Sequence, residues 1–102
     1  MPKASLPLPK RLKAARLRSK LSQKALGIAA KMDEFVASAR MNQYEKGIHN
    51  PDYSTAQRLA KVLRIPTAYL YADDEEDAEL LLNFRELSPA ARRRFLALLR
   101  NQ

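Results

Sequence analysis

Apolar positions along the chain recur at helical spacing in a series of short segments dominated by helix formers such as Ala, Leu, Lys, Arg and Glu. The first segment, Lys10 to Lys20, sets Leu12, Ala15 and Leu17 among six basic residues. Ser22 is an N-cap residue, so a second helix is predicted over about Gln23 to Lys31, with Leu21 stapled to Ala25 or Leu26, and Leu26, Ala29 and Ala30 as its apolar stripe. Met32-Asp33-Glu34 reads as a break, with Asp33 as the cap of the next helix. That third helix, Phe35 to Lys46, directs Val36, Met41 and Tyr44 inward and ends at Gly47. Ile48 to Tyr53, with Asn50-Pro51, is a loop. Ser54 or Asp52 caps a fourth helix, Thr55 to Leu63, and Pro66-Thr67 opens a short fifth helix through Tyr71. Acidic residues 73–77 suit a helix N-terminus and introduce a sixth helix, Glu75 to Leu87. Ser88-Pro89 restarts the chain into a seventh, with Phe95, Leu96, Leu98 and Leu99 opposite Arg92, Arg93, Arg94 and Arg100. The expectation is an all-α fold.

Charge adds a direction to this plan. Residues 1–64 hold 14 Lys/Arg and 4 Asp/Glu, a balance of +10, and residues 65–102 hold 5 and 7, a balance of −2. A polyanion would therefore bind the first two-thirds. The chain has no cysteine and one histidine, His49, which excludes disulfides and thiolate metal sites and leaves no constellation for acid–base, nucleophilic or metal chemistry. No catalytic residue, cofactor or metal is expected. No apolar run approaches the roughly 20 residues that cross a bilayer, so a cytoplasmic protein with no membrane contact is expected. Residues 1–9, with Pro2, Pro7 and Pro9, read as a flexible arm rather than a signal peptide.

Four landmarks in order carry a resemblance: Leu21-Ser22-Gln23, Tyr44-Glu45-Lys46-Gly47, Asn50-Pro51 and Leu59-Ala60-Lys61-Val62-Leu63. Over about Lys10 to Tyr71 the chain resembles the phage-repressor and Cro (Xre-like) helix-turn-helix family. The resemblance implies a five-helix lambda-repressor-like DNA-binding domain over residues 10–72. It further implies sequence-specific binding of double-stranded DNA, with the third helix in the major groove of a homodimer's target, and transcriptional regulation, most simply as a repressor.

The residue types of the third helix suit that role. Arg forks onto guanine, and Asn and Gln pair with adenine. Ser38, Arg40, Asn42 and Gln43 are the base-reading candidates, flanked by Ala37 and Ala39, which permit close approach. Ser22, with the free N–H groups of its helix start, Lys24, Lys46, His49 and Asn50 are phosphate-contact candidates. The resemblance puts Gln23 at the DNA backbone and pairs Glu45 with Arg16. Arg11, Arg18 and Lys20 either touch phosphate or only raise the field. One departure stands out: from Gln23 to Tyr44 the chain is about four residues longer than the usual family spacing, one helical turn, so the start of the third helix is left open.

Residues 73–102 extend beyond the resemblance. Leu80, Leu81, Phe84, Phe95, Leu98 and Leu99 are too apolar to leave in water. They are expected either to form a dimer interface or to cap the core. The alternative function is an antitoxin-like or adaptor module whose C-terminal helices bind another protein, with DNA binding secondary. RNA binding is disfavoured by the lack of stacking-aromatic motifs.

Overall fold

The computed structural model describes residues 6–102, and every regular element among them is helical. The order is α1 Leu8–Arg18, α2 Gln23–Ala29, α3 Ala37–Glu45, α4 Tyr53–Leu63, a 3-10 segment Thr67–Tyr71, α5 Glu75–Glu86 and α6 Pro89–Arg100. Residues 1–5 of the expected arm lie outside the described residues. Its distal part differs from expectation, because α1 begins at Leu8. Pro9 falls in the first turn, where a missing N–H costs nothing, and Leu8 is buried in the core, which rewards the extra turn.

Side-chain oxygens begin most of the helices. Ser22 accepts from the Ala25 N–H at 2.9 Å, Asp52 from Thr55 at 2.8 Å, Asp74 from Glu76 at 2.8 Å and Ser88 from Ala91 at 3.1 Å. Helix ends are less regular in sequence than in structure. Lys20, Lys31, Gly47 and Arg64 all take positive φ, at 58°, 72°, 72° and 58°, and each follows a helix. In each case the next residue's N–H reaches back to close the last turn: Leu21 to Arg16 O, Met32 to Gly27 O, Ile48 to Gln43 O and Ile65 to Ala60 O. Only one of the four is glycine. The other three carry a cation, which the helix C-terminal dipole favours and which offsets part of the ~1–2 kcal/mol cost of the left-handed conformation.

The core draws on all of the first five elements. Leu8, Leu12 and Ala15 of α1 meet Leu26, Met41, Tyr44, Leu59, Leu63, Tyr69 and Leu70. Arg58 of α4 ties α2 down, donating from Nε to the Ala30 carbonyl at 3.1 Å. The open question at the α2–α3 junction resolves as a connection rather than a longer helix. Residues 30–36 join the two, and α3 starts at Ala37, two residues later than predicted. Val36, expected inward, is exposed, and Ala37 is buried in its place. The reason is Gly27. A Cβ there would sit 2.8 Å from Ala37 Cβ and 3.2 Å from its Cα, so the two helices cross where neither has a side chain beyond a methyl group.

The C-terminal third is anchored at one end. Ala78 of α5 is buried, and Leu81 and Leu82 pack against the core. Arg11, a buried cation, donates to the Ala72 carbonyl at 3.0 Å and to Glu75 at 3.0 Å, and it lies over the Tyr69 ring. Lys10 also reaches Glu75, and Arg18 pairs with Glu86. Lys10 and Arg11 together pull the pKa of the Glu75 carboxyl down to about 2. Beyond α5 the chain departs from the core. α6 has no buried residue and is held to α5 by Arg92, which donates to the carbonyls of Phe84 and Arg85, and by Phe84 against Phe95. The radius of gyration, 15.2 Å, exceeds the ~13 Å of a compact 100-residue domain, as a projecting helical hairpin requires.

Gly27→Ala tests the crossing. The substitution gains up to about 1 kcal/mol of helix propensity, but overpacking against a rigid neighbour costs roughly 1–3 kcal/mol. We expect a lower urea midpoint at unchanged slope; a raised midpoint would contradict the close approach.

Candidate nucleic-acid interface

Helix α3 buries Ala37, Met41 and Tyr44, spaced four and three residues apart. The opposite face is set by 3.6-residue geometry: Ala39, Asn42, Gln43 and Lys46 lie at its centre, with Ser38 and Arg40 at its margins. Ser38, Ala39, Arg40 and Lys46 are exposed, and Asn42 and Gln43 are half-buried. Small residues at 37–39 leave the N-terminal half of the helix slender.

A polar clasp at the inner edge of this face fixes its orientation. Arg16 grips Glu45 with two bonds, Nε to Oε2 at 2.6 Å and Nη2 to Oε1 at 2.9 Å, and its third donor reaches the Leu21 carbonyl at 2.9 Å. The side chains are 11% and 3% exposed. The Glu45 hydrogen bond raises the Arg16 pKa, against the opposing pull of burial. Gln23 adds the α2 side of the clasp. Its amide nitrogen donates to Glu45 Oε1 at 3.2 Å and to Asn42 Oδ1 at 3.3 Å. Three helices therefore meet on one carboxylate: α1 through Arg16, α2 through Gln23 and α3 through Glu45 itself.

This arrangement gives one expected contact residue a structural part as well. Gln23, expected to meet the DNA backbone, donates its amide hydrogens to Glu45 and Asn42 in this structure and so buttresses Asn42. With its oxygen held by Gln23, Asn42 keeps its own amide N–H groups for an outside acceptor. Ser22 accepts from Ala25 while its hydroxyl hydrogen remains available, and Lys24 is exposed beside it. On the other flank Arg40, Gln43, His49 and Asn50 line one shallow concavity with Tyr44. Lys46 and Asn50 line a second, against Pro9 and Lys10. The loop that carries His49 and Asn50 is held by the Ile48 and His49 N–H groups, which both donate to the Gln43 carbonyl.

The basic residues divide into two sets. Among the described residues Lys24, Arg40 and Lys46 have no carboxylate partner, whereas Arg11 and Arg18 are engaged with Glu75 and Glu86. Arg11 is buried in its pairing, whereas Arg18 and Glu86 pair at the surface. Two residues of consequence were invisible from sequence. Arg58 had no signal, because a cation capping a distant helix end leaves no local pattern. Phe35, read as the first residue of the third helix, lies ahead of it and is 88% exposed. Among the described residues no three metal-ligating side chains cluster, and no helix is long and apolar enough to cross a membrane.

Removing one partner of the clasp leaves the other charge buried. Glu45→Ala is expected to cost roughly 3–5 kcal/mol of unfolding free energy. Arg16→Lys, which cannot fork onto two carboxylate oxygens, should also destabilise, but less. Urea unfolding of both variants checks this; a loss below about 1 kcal/mol for Glu45→Ala would mark the pair as dispensable.

Comparison with known proteins agrees with this architecture. A helix-turn-helix family model matches residues 12–70, from α1 to the 3-10 segment. Among solved structures the chain is similar to the transcriptional regulator BswR, with a TM-score of 0.89 and 47% sequence identity, covering 93% of this chain and 94% of that one. No curated protein sequence matches. The chain belongs to the Xre/lambda-repressor-like helix-turn-helix family.

Proposed function

We propose that this protein is a cytoplasmic transcriptional regulator, a repressor, that binds a specific double-stranded DNA site as a homodimer. Helix α3 lies in the major groove. The observation that carries the reading is the outward face of α3: Ser38, Arg40, Asn42 and Gln43 on a slender helix, flanked by the unpaired cations Lys24 and Lys46. Arg40 supplies a fork for guanine O6 and N7, and Asn42 or Gln43 an amide for adenine. Ser22, Lys24, Lys46, His49 and Asn50 position the helix on phosphates. The 47% identity to a transcriptional regulator over nearly the whole chain supports the same role.

Dimerisation is supported by the apolar surface of the hairpin. Leu80, Leu96, Leu98 and Leu99 are exposed, with Leu98 at 62%, while Leu81 packs on the core and Phe84 and Phe95 face each other. A second copy on such a face would bring two α3 helices into one particle, as reading half-sites about 34 Å apart requires. The same face is the one observation that favours the second reading, an antitoxin-like or adaptor protein that seats a different protein on α6.

In vitro selection from random duplexes, repeated with Arg40→Ala, tests the proposal. The expected product is a two-fold-symmetric site that Arg40→Ala relaxes at a guanine in each half. Salt-sensitive binding without a consensus would reject sequence reading. An asymmetric single half-site, together with a monomeric mass by light scattering, would reject the dimer and favour the adaptor.

A further inference from the structure

The connection between α2 and α3 holds an aromatic ring in water. Phe35 is 88% exposed, and its neighbour Val36 is exposed as well. The backbone that presents them is tightly specified. The Phe35 N–H donates to the Asp33 carboxylate at 2.8 Å, and the Val36 and Ala37 N–H groups donate to the Asp33 carbonyl at 3.1 and 3.0 Å. The turn is closed on both sides, at Lys31 by its left-handed backbone and at Ala37 by Gly27.

Three further observations narrow what this ring meets. It stands immediately before α3, at the end of a recognition helix that approaches base edges. The next outward side chains, Ser38 and Ala39, are short, so Phe35 has the longest reach at that end of the helix. Its neighbours Asp33 and Glu34 are exposed carboxylates that make no phosphate contact, so contact at this tip falls to the apolar ring, on the groove floor that α3 faces. On that floor the base edges offer hydrogen-bonding groups and a single apolar one, the C5-methyl of thymine.

We propose that Phe35 is a specificity-determining residue that packs against a thymine methyl group in the major groove, outside the hydrogen-bonding set on α3. The assignment rests on the DNA-reading function proposed above. It makes the lengthened connection, about four residues beyond the family spacing, a reading element rather than a spacer.

The test replaces each thymine of the selected duplex by deoxyuridine, one position at a time. This removes the methyl group and leaves every hydrogen-bonding atom in place. Wild-type protein should lose about fourfold in affinity at one thymine per half-site, the worth of one buried methyl group. Phe35→Ala should bind the thymine site more weakly and show no further loss at that position, and Phe35→Leu should retain part of the sensitivity. The exposed Phe35 ring contributes little to the core, and thermal melting of Phe35→Ala checks that its fold is intact. A flat deoxyuridine series with wild-type protein overturns this inference while leaving sequence reading standing. Equal sensitivity in wild type and Phe35→Ala overturns it too, as does a change of oligomeric mass in Phe35→Ala, which would assign the ring to a protein contact. Failure to select any site would overturn the proposed function and this inference together.

Discussion

The structure depends on a single carboxylate. Glu45 receives two bonds from Arg16 on α1 and one from Gln23 on α2, and it belongs to α3. A lone buried carboxylate would cost several kcal/mol, so its presence obliges the other two helices to bring their donors to it. That obligation is geometric as well as energetic. An Arg fork admits a carboxylate in one plane, and the fork is itself held by the Leu21 carbonyl at the start of the α2 cap. Helix–helix packing by Leu, Met and Ala tolerates small slides, whereas this network does not. On the other side of the crossing, Gly27 against Ala37 sets how near α2 and α3 come. Between them the two contacts define both the angle and the separation of the pair, and α3 inherits a fixed outward face.

The same economy of charge explains why the basic half of the chain does not present all its cations to a polyanion. Arg11 and Arg18 are taken up by Glu75 and Glu86 of α5, and Arg11 is buried among Tyr69 and the Ala72 carbonyl. The acidic segment after the core thus docks α5 and at once neutralises positive charge on α1. Among the described residues, Lys24, Arg40 and Lys46, which lie around the outward face of α3, have no carboxylate partner, and nor do Lys13, Lys20, Lys31, Lys61 and Arg64 elsewhere on the first four helices and their ends. The balance of +10 over residues 1–64 is therefore reduced on α1, where α5 supplies the counter-charges, and kept around α3.

Much of this was legible in the sequence, for identifiable reasons. Helix existence could be read from apolar spacing, and the starts at Ser22, Asp52 and Ser88 from capping chemistry, because both signals are local. The family landmarks located α3 and its carboxylate. Helix ends were harder. Gly47 announced itself, but Lys20, Lys31 and Arg64 occupy the same left-handed position without the residue type that marks it. The α2–α3 connection was ambiguous, because a register of four extra residues fits a helical turn as well as a loop. Only the contact between Gly27 and Ala37, distant in sequence, selects the loop. Gln23 was legible only in part. Its position at the head of α2 was evident, but its partners, Asn42 and Glu45, are supplied by another helix.

The central claim is that the clasp presents the outward face of α3 to duplex DNA. The most direct measurement is a titration of isotope-labelled protein with a selected duplex, monitored through backbone amide chemical shifts. The largest changes are expected on Phe35 to Gln43 and on Ser22 to Ala25, with α6 perturbed little. Changes concentrated on α5 and α6, with α3 unmoved, would contradict the claim and place the binding surface on the C-terminal hairpin.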